Sequence, residues 1–131
     1  MPTGPTIRVL VVDDEHNIAD TLCLILQSRG HAVRAAYSGE DAVLIAKNFQ
    51  PHVVVSDVIM LGMNGVDLAV WITDNYPGCK VLLMSGNAGA FPLVEESIRR
   101  GHAHAILTKP FHPQEILDFI ATSTRSDDTA Q

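Results

Sequence analysis

Cysteine is scarce in this chain. Cys23 and Cys79 are the only two in 131 residues, they lie far apart, and neither belongs to a Cys-X-X-Cys motif. That argues against a disulfide-stapled scaffold or a thiolate zinc site, and for two buried thiols in a reducing compartment. Positive charge is also short, with nine Lys and Arg against fifteen Asp and Glu and a formal net charge of −6. Such a balance argues against nucleic acid or an anionic membrane surface as the main partner. No apolar run approaches the ~18 residues of a membrane span, and the opening "MPTGPTIRV" has no apolar core of signal-peptide length. The expected location is the cytoplasm. No internal repeat and no linker composition stand out. One domain over residues 7–122 is expected, with a flexible segment 1–6 and a polar tail 123–131, so that any output comes from the domain's own surface.

What is present is a regular alternation. "IRVLVVD" is β-branched and apolar, a buried strand that ends at acids. "NIADTLCLILQSRG" places Ile18, Leu22, Ile25 and Leu26 on one helical stripe, and Gly30 is a natural stop. "HAVRAAY" is a second strand. It leads to "SGEDAVLIAKNF", with Ser38 as N-cap and Ala42, Ile45, Ala46 and Phe49 as the apolar face. "PHVVVSD" is a third strand ending at Asp57, followed by the turn-rich "VIMLGMNG" and the helix "VDLAVWITDNYPG". "KVLLMSG" is a fourth strand, and "FPLVEESIRRG" is a helix with acids early and arginines late, as the helix dipole favours. "HAHAILTKP" and "HPQEILDFIATS" supply a fifth strand and a fifth helix. Five βα units with near-continuous apolar strands imply an α/β fold: a parallel sheet covered by helices on both faces.

Ligands of open parallel sheets sit beyond the carboxyl ends of the strands. Those ends carry Asp13 and Asp14 after the first strand, Asp57 after the third, Ser85 after the fourth and Lys109 after the fifth. Each alone has an ordinary explanation as a cap or turn residue. Together they put oxygens and one cation at a single edge of the sheet. Asp13, Asp14 and Glu15 are adjacent, and clustered carboxylates repel unless a cation or proton relieves them. Three converging carboxylates make a hard-oxygen site of the kind Mg²⁺ prefers, with Mn²⁺ as a substitute. A carboxylate beside such a metal, with an ammonium, a hydroxyl and backbone N–H groups nearby, is arranged to attack and hold a phosphoryl group. Asp57, alone at the end of the central strand, is the natural nucleophile, and Asp13 and Asp14 are the natural metal ligands.

The stretches "VLVVDDE", "VVVSDVIMLGMNG", "VLLMSG" and "ILTKPF" also resemble, in order and at close to the family's spacing, the receiver domains of two-component response regulators, over roughly residues 7–122. The resemblance implies a (βα)5 flavodoxin-like fold with strand order 2-1-3-4-5. It implies that Asp57 takes a phosphoryl group from a sensor histidine kinase or histidine phosphotransfer protein. Asp14 would bind Mg²⁺ directly, Asp13 mainly through water, and the carbonyl of Ile59 would be the backbone ligand. Ser85, Gly86 and Lys109 would contact the phosphoryl group, with the Lys109–Pro110 peptide cis. A downstream protein would bind the face of the fourth helix, fifth strand and fifth helix, and the domain would not be an enzyme beyond self-catalysed transfer and slow self-dephosphorylation.

The chain departs from the family's pattern in several places. Ile106 stands where an aromatic switch residue is usual, and Leu61 where proline is common. One extra residue lies between Gly101 and Lys109. The two positions that tune phosphoryl lifetime in relatives hold Ile59 and Asn87. Three other readings compete. A docking receiver with little phosphorylation-dependent switching would suit Ile106. A haloacid-dehalogenase-type phosphatase uses similar groups, but its nucleophile lies in an Asp-X-Asp motif after the first strand. A flavin module would find "DDEHN" repelling its phosphate. His102, His104 and His112 read as solvated or capping groups, and Trp71 as packing.

Overall fold

Valine is the commonest residue of the strand segments, and stiff β-branched side chains suit a pleated surface buried on both sides. The computed structural model describes residues 6–86, 90–102 and 104–129. In chain order these form β1 (Arg8–Val12), α1 (His16–Ser28), β2 (Ala32–Ala36), α2 (Gly39–Phe49) and β3 (Val53–Asp57). There follow α3 (Gly65–Asn75), β4 (Lys80–Ser85), α4 (Ala90–Arg99), β5 (Ala105–Thr108) and α5 (Pro113–Thr129). All strand pairs are parallel, in the order β2-β1-β3-β4-β5. The expected fold is therefore present.

Alternation along each strand divides the core into two layers. Leu10, Val12, Val54 and Leu83 pack with Ala42, Ala46, Leu68 and Ile72 beneath α2 and α3. Val9, Val11, Val55 and Met84 pack with Leu22, Leu26, Ile116 and Ile120 beneath α1 and α5. Cys23 and Cys79 are buried free thiols, and burial pushes their pKa values up to about 11 and about 12. Neither thiol is poised to react.

Local signals set the helix ends. Ser38 Oγ accepts from Asp41 N at 3.0 Å, and Asn64 Oδ1 accepts from Asp67 N at 2.9 Å. Gly30 and Gly101 follow α1 and α4 at φ 92° and 88°, a region that other residues enter at a cost. His112 caps α5, its Nδ1 accepting from Gln114 N at 3.0 Å. Trp71 stacks edge-to-face on Tyr76 at 5.7 Å, as packing.

Three expectations need revision. The fifth helix runs to Thr129 and does not end at Ser123. "TRSDDT" lacks an apolar face, but it also lacks the Gly or Pro that would stop a helix. β5 is not buried like its neighbours, for Ala105, Ile106 and Thr108 are exposed at the sheet's edge. His104 is neither solvated nor a cap: it is half-buried, and burial followed by nearby His102 lowers its proton affinity. Residues 1–5, most of the segment expected to be flexible, lie outside the described residues.

Candidate functional site

The carboxyl edge of the sheet is assembled by the strand ladders themselves. Asp13 N donates to Ala36 O at 3.1 Å, holding Asp13 against β2 one residue beyond β1. Its side chain is fully buried, and Oδ1 accepts from Glu15 N at 3.0 Å. Its other oxygen, Oδ2, is buried with no hydrogen-bond partner among the described residues. Asp14 is half-buried, and its Oδ2 accepts from Leu61 N at 3.2 Å. Asp57 closes β3 with its side chain 14% exposed. One oxygen from each of Asp13, Asp14 and Asp57 lies within 4.8 Å of the other two.

Lys109 reaches this cluster from the other side. Its N–H donates to Ser85 O at 2.9 Å, extending the β4–β5 ladder, and the Lys109–Pro110 peptide is cis. Its Nζ lies 3.4 Å from Asp57 Oδ2. The lysine stem crosses Gly86 so closely that a Cβ there would stand 2.7 Å from Lys109 Cδ. Ser85 ends β4 one strand over from Asp57, whose ladder partner is Met84. Asp14, Glu15, Asp57, Ile59, Gly86, Ala90 and Lys109 line one cleft of about 310 Å³. Asn87 lies outside the described residues.

Burial is the largest influence on both inner carboxyls, and it raises them above the usual range. At Asp13 the Glu15 amide offsets part of the rise and the Asp57 charge adds to it. At Asp57 the Lys109 ammonium offsets part of it. A desolvated, mutually repelling cluster with one orphan oxygen is short of positive charge. The donor set fits a hard divalent cation such as Mg²⁺.

Two supports escaped the sequence reading. Glu40, in the first turn of α2, accepts from Met63 N through Oε2 at 3.0 Å and so pins the loop after Asp57. Gly62 sits against this carboxylate at φ 77°. The only sequence signal was an acid two residues after an N-cap serine, which reads as dipole chemistry. The second support is Gly65, where α3 starts directly behind the Asp57 backbone. A Cβ at Gly65 would stand 2.1 Å from Asp57 O and 2.9 Å from Val58 Cα. Backbone atoms cannot yield as a side-chain tip can. Gly65→Ala should destabilise the fold by about 1–3 kcal/mol, the usual cost of overpacking. Urea unfolding measures this, and an unchanged midpoint refutes the close approach.

Residues 9–121 match the family model of the response regulator receiver domain. The chain is 36% identical over 114 residues to the response regulator protein FleR of Pseudomonas aeruginosa, covering 87% of this chain and 24% of that protein. The chemotaxis protein CheY4 of Vibrio cholerae superposes with a TM-score of 0.79 at 26% identity, over 91% of this chain and 99% of that one. A CheY-like receiver domain protein from Methanospirillum hungatei superposes with a TM-score of 0.84, over 97% and 100% of the two chains. At 24% identity that second likeness speaks for the fold alone. The chain spans about half or less of the length of the curated relatives it matches.

Proposed function

The chain belongs to the response regulator receiver family, and from that premise we propose that it accepts a phosphoryl group on Asp57 from a donor phosphohistidine and signals through its own surface. The observation that carries this reading is the meeting of three carboxylates within 4.8 Å, with a lysine ammonium 3.4 Å from Asp57.

An Asp57 carboxylate oxygen attacks the phosphorus. The bond from phosphorus to the donor's imidazole nitrogen breaks, and its electron pair returns to that nitrogen. The product is an acyl phosphate on Asp57. Lys109 exchanges its pairing with the carboxylate for a phosphoryl oxygen, while Ser85 Oγ and Gly86 N–H donate to others. Asp13, Asp14, Asp57 and the Ile59 carbonyl are the groups that would hold Mg²⁺ or Mn²⁺. Bound there, the cation supplies charge neutralisation for the phosphoryl oxygens. The chemistry is limited to this self-catalysed transfer and a slow self-dephosphorylation, so the domain acts as a switch.

The donor is a sensor histidine kinase or a histidine phosphotransfer protein, in the cytoplasm. The receiving partner is a protein that meets α4, β5 and α5, where Phe91, Ile98 and Ile106 are 66%, 52% and 40% exposed. A net charge of −6 gives no attraction to nucleic acid or to an anionic membrane. Among the described residues no helix is long and apolar enough to cross a membrane.

The test is incubation with a small acyl phosphate and Mg²⁺, followed by intact-mass measurement. A single phosphoryl-sized adduct, lost when the metal is chelated, supports the reading, and an unmodified mass under both conditions rejects it. The same experiment run over time probes Ile59. Its aliphatic side chain sits on the cleft and offers no hydrogen bond to orient an attacking water. Ile59→Asn should shorten the lifetime of the adduct about tenfold, roughly 1.4 kcal/mol of barrier. A wild-type adduct that decays within seconds would contradict this account.

A further inference from the structure

The aromatic residue expected at position 106 is absent, and the structure shows space beside Ile106. A cavity of about 400 Å³ is walled by Ser85, Gly86, Thr108 and Lys109 at one end and by Phe91, Val94 and Ile106 at the other. An apolar cavity of about 150 Å³ already admits benzene, so a phenyl ring has room here. Phe91, in the first turn of α4, borders this space while remaining 66% exposed to water. An aromatic ring left in water beside an apolar hollow retains a driving force to enter it.

One side chain joins the cavity to the chemistry. Lys109 holds Asp57 with its Nζ at 3.4 Å, and its stem forms part of the cavity wall across Gly86. Any shift of the ammonium from the carboxylate to a phosphoryl oxygen therefore remodels the wall facing Phe91. Ala90, one residue earlier, is fully buried and fixes the start of α4. The Phe91 ring can turn about its own side-chain bonds, and its burial then loads the first turn of that helix. Ile98 is exposed further along the same helix, on the face assigned above to the partner.

We propose that Phe91 is the switch residue of this chain: its ring enters the cavity beside Ser85 and Lys109 when Asp57 carries a phosphoryl group, replacing from α4 the aromatic that β5 lacks. The proposal rests on the phosphoacceptor reading of Asp57. Conformational change requires that the modified state gain something the unmodified state lacks, and here it gains the burial of that ring.

Beryllofluoride with Mg²⁺, a phosphoryl mimic, tests both readings separately. Fluorine NMR reports whether the adduct forms. Carbon-labelled phenylalanine, with Phe91 assigned through Phe91→Leu, reports the ring, and a soluble paramagnetic chelate reports its exposure. The expected result is a Phe91 shift, and a loss of paramagnetic broadening, that saturate together with the adduct. Ile106→Tyr fills the cavity from the strand, and should form the adduct while leaving Phe91 exposed. A wild-type adduct with an unchanged Phe91 signal overturns the proposal and leaves the phosphoacceptor reading standing. Absence of any adduct overturns both.

Discussion

Asp57→Asn should leave a folded protein that takes up no phosphoryl group. Wild-type chain treated with acyl phosphate and Mg²⁺ should gain about 80 Da, one phosphoryl group, and the variant should gain nothing. Asparagine keeps the shape of the side chain but replaces the nucleophilic carboxylate by a weakly nucleophilic amide. The alternatives within the cluster are poorly placed to substitute for it. Asp13 is fully buried, and one of its oxygens is occupied by the Glu15 amide. Asp14 lines the cleft, but its Oδ2 holds the Leu61 amide and no cation stands beside it in the described ion pairs. Only Asp57 combines a place on the cleft with the Lys109 ammonium. The variant should also be no less stable than wild type, because it removes a charge that burial already strains. Circular dichroism checks that point. An equal adduct in the variant would move the nucleophile elsewhere and end the assignment.

The groups that meet at the sheet edge were legible because strands announce their own ends. An apolar β-branched run that stops at Asp13, Asp57, Ser85 or Lys109 places each residue at a known rim, and parallel topology makes that rim common to all of them. What periodicity does not carry is the distance between segments remote in sequence. The Glu40 bond to Met63 spans two elements, and the closeness of Gly65 to Asp57 O depends on how α3 folds back on β3. Neither leaves a pattern in a single window. The exposure of β5 follows from its position at the edge of the sheet, whereas "AILT" read alone looks like any buried strand. α5 overran its expected end because amphipathicity marks the part of a helix that packs and says little about where the helix stops.

The unsatisfied cluster has a thermodynamic consequence. Saturating Mg²⁺ should raise the thermal midpoint of the metal-free chain by roughly 8–11 °C. A ligand at a hundred times its Kd adds about 2.7 kcal/mol, and a domain of this size gains roughly 3–4 °C per kcal/mol. The carboxyls of Asp13 and Asp57 lie above their ordinary values in the folded chain, chiefly through burial. A folded-state pKa above the unfolded one means that the native state holds its proton more tightly. The stability this lends is full at pH below the unfolded value and is lost as pH rises through the folded values. At neutral pH, without metal, the cluster therefore works against the fold. Asp13→Asn removes the most buried of these charges, so it should raise the metal-free midpoint and weaken the part of the pH dependence that comes from the cluster. It should also abolish most of the response to Mg²⁺, since the variant loses a ligand along with the repulsion that the ion relieves. Melting curves of wild type and variant, in chelator and in Mg²⁺, separate these effects. A wild-type midpoint indifferent to Mg²⁺, or a variant no more stable than wild type in chelator, would mean that the buried acids are balanced by something other than a cation.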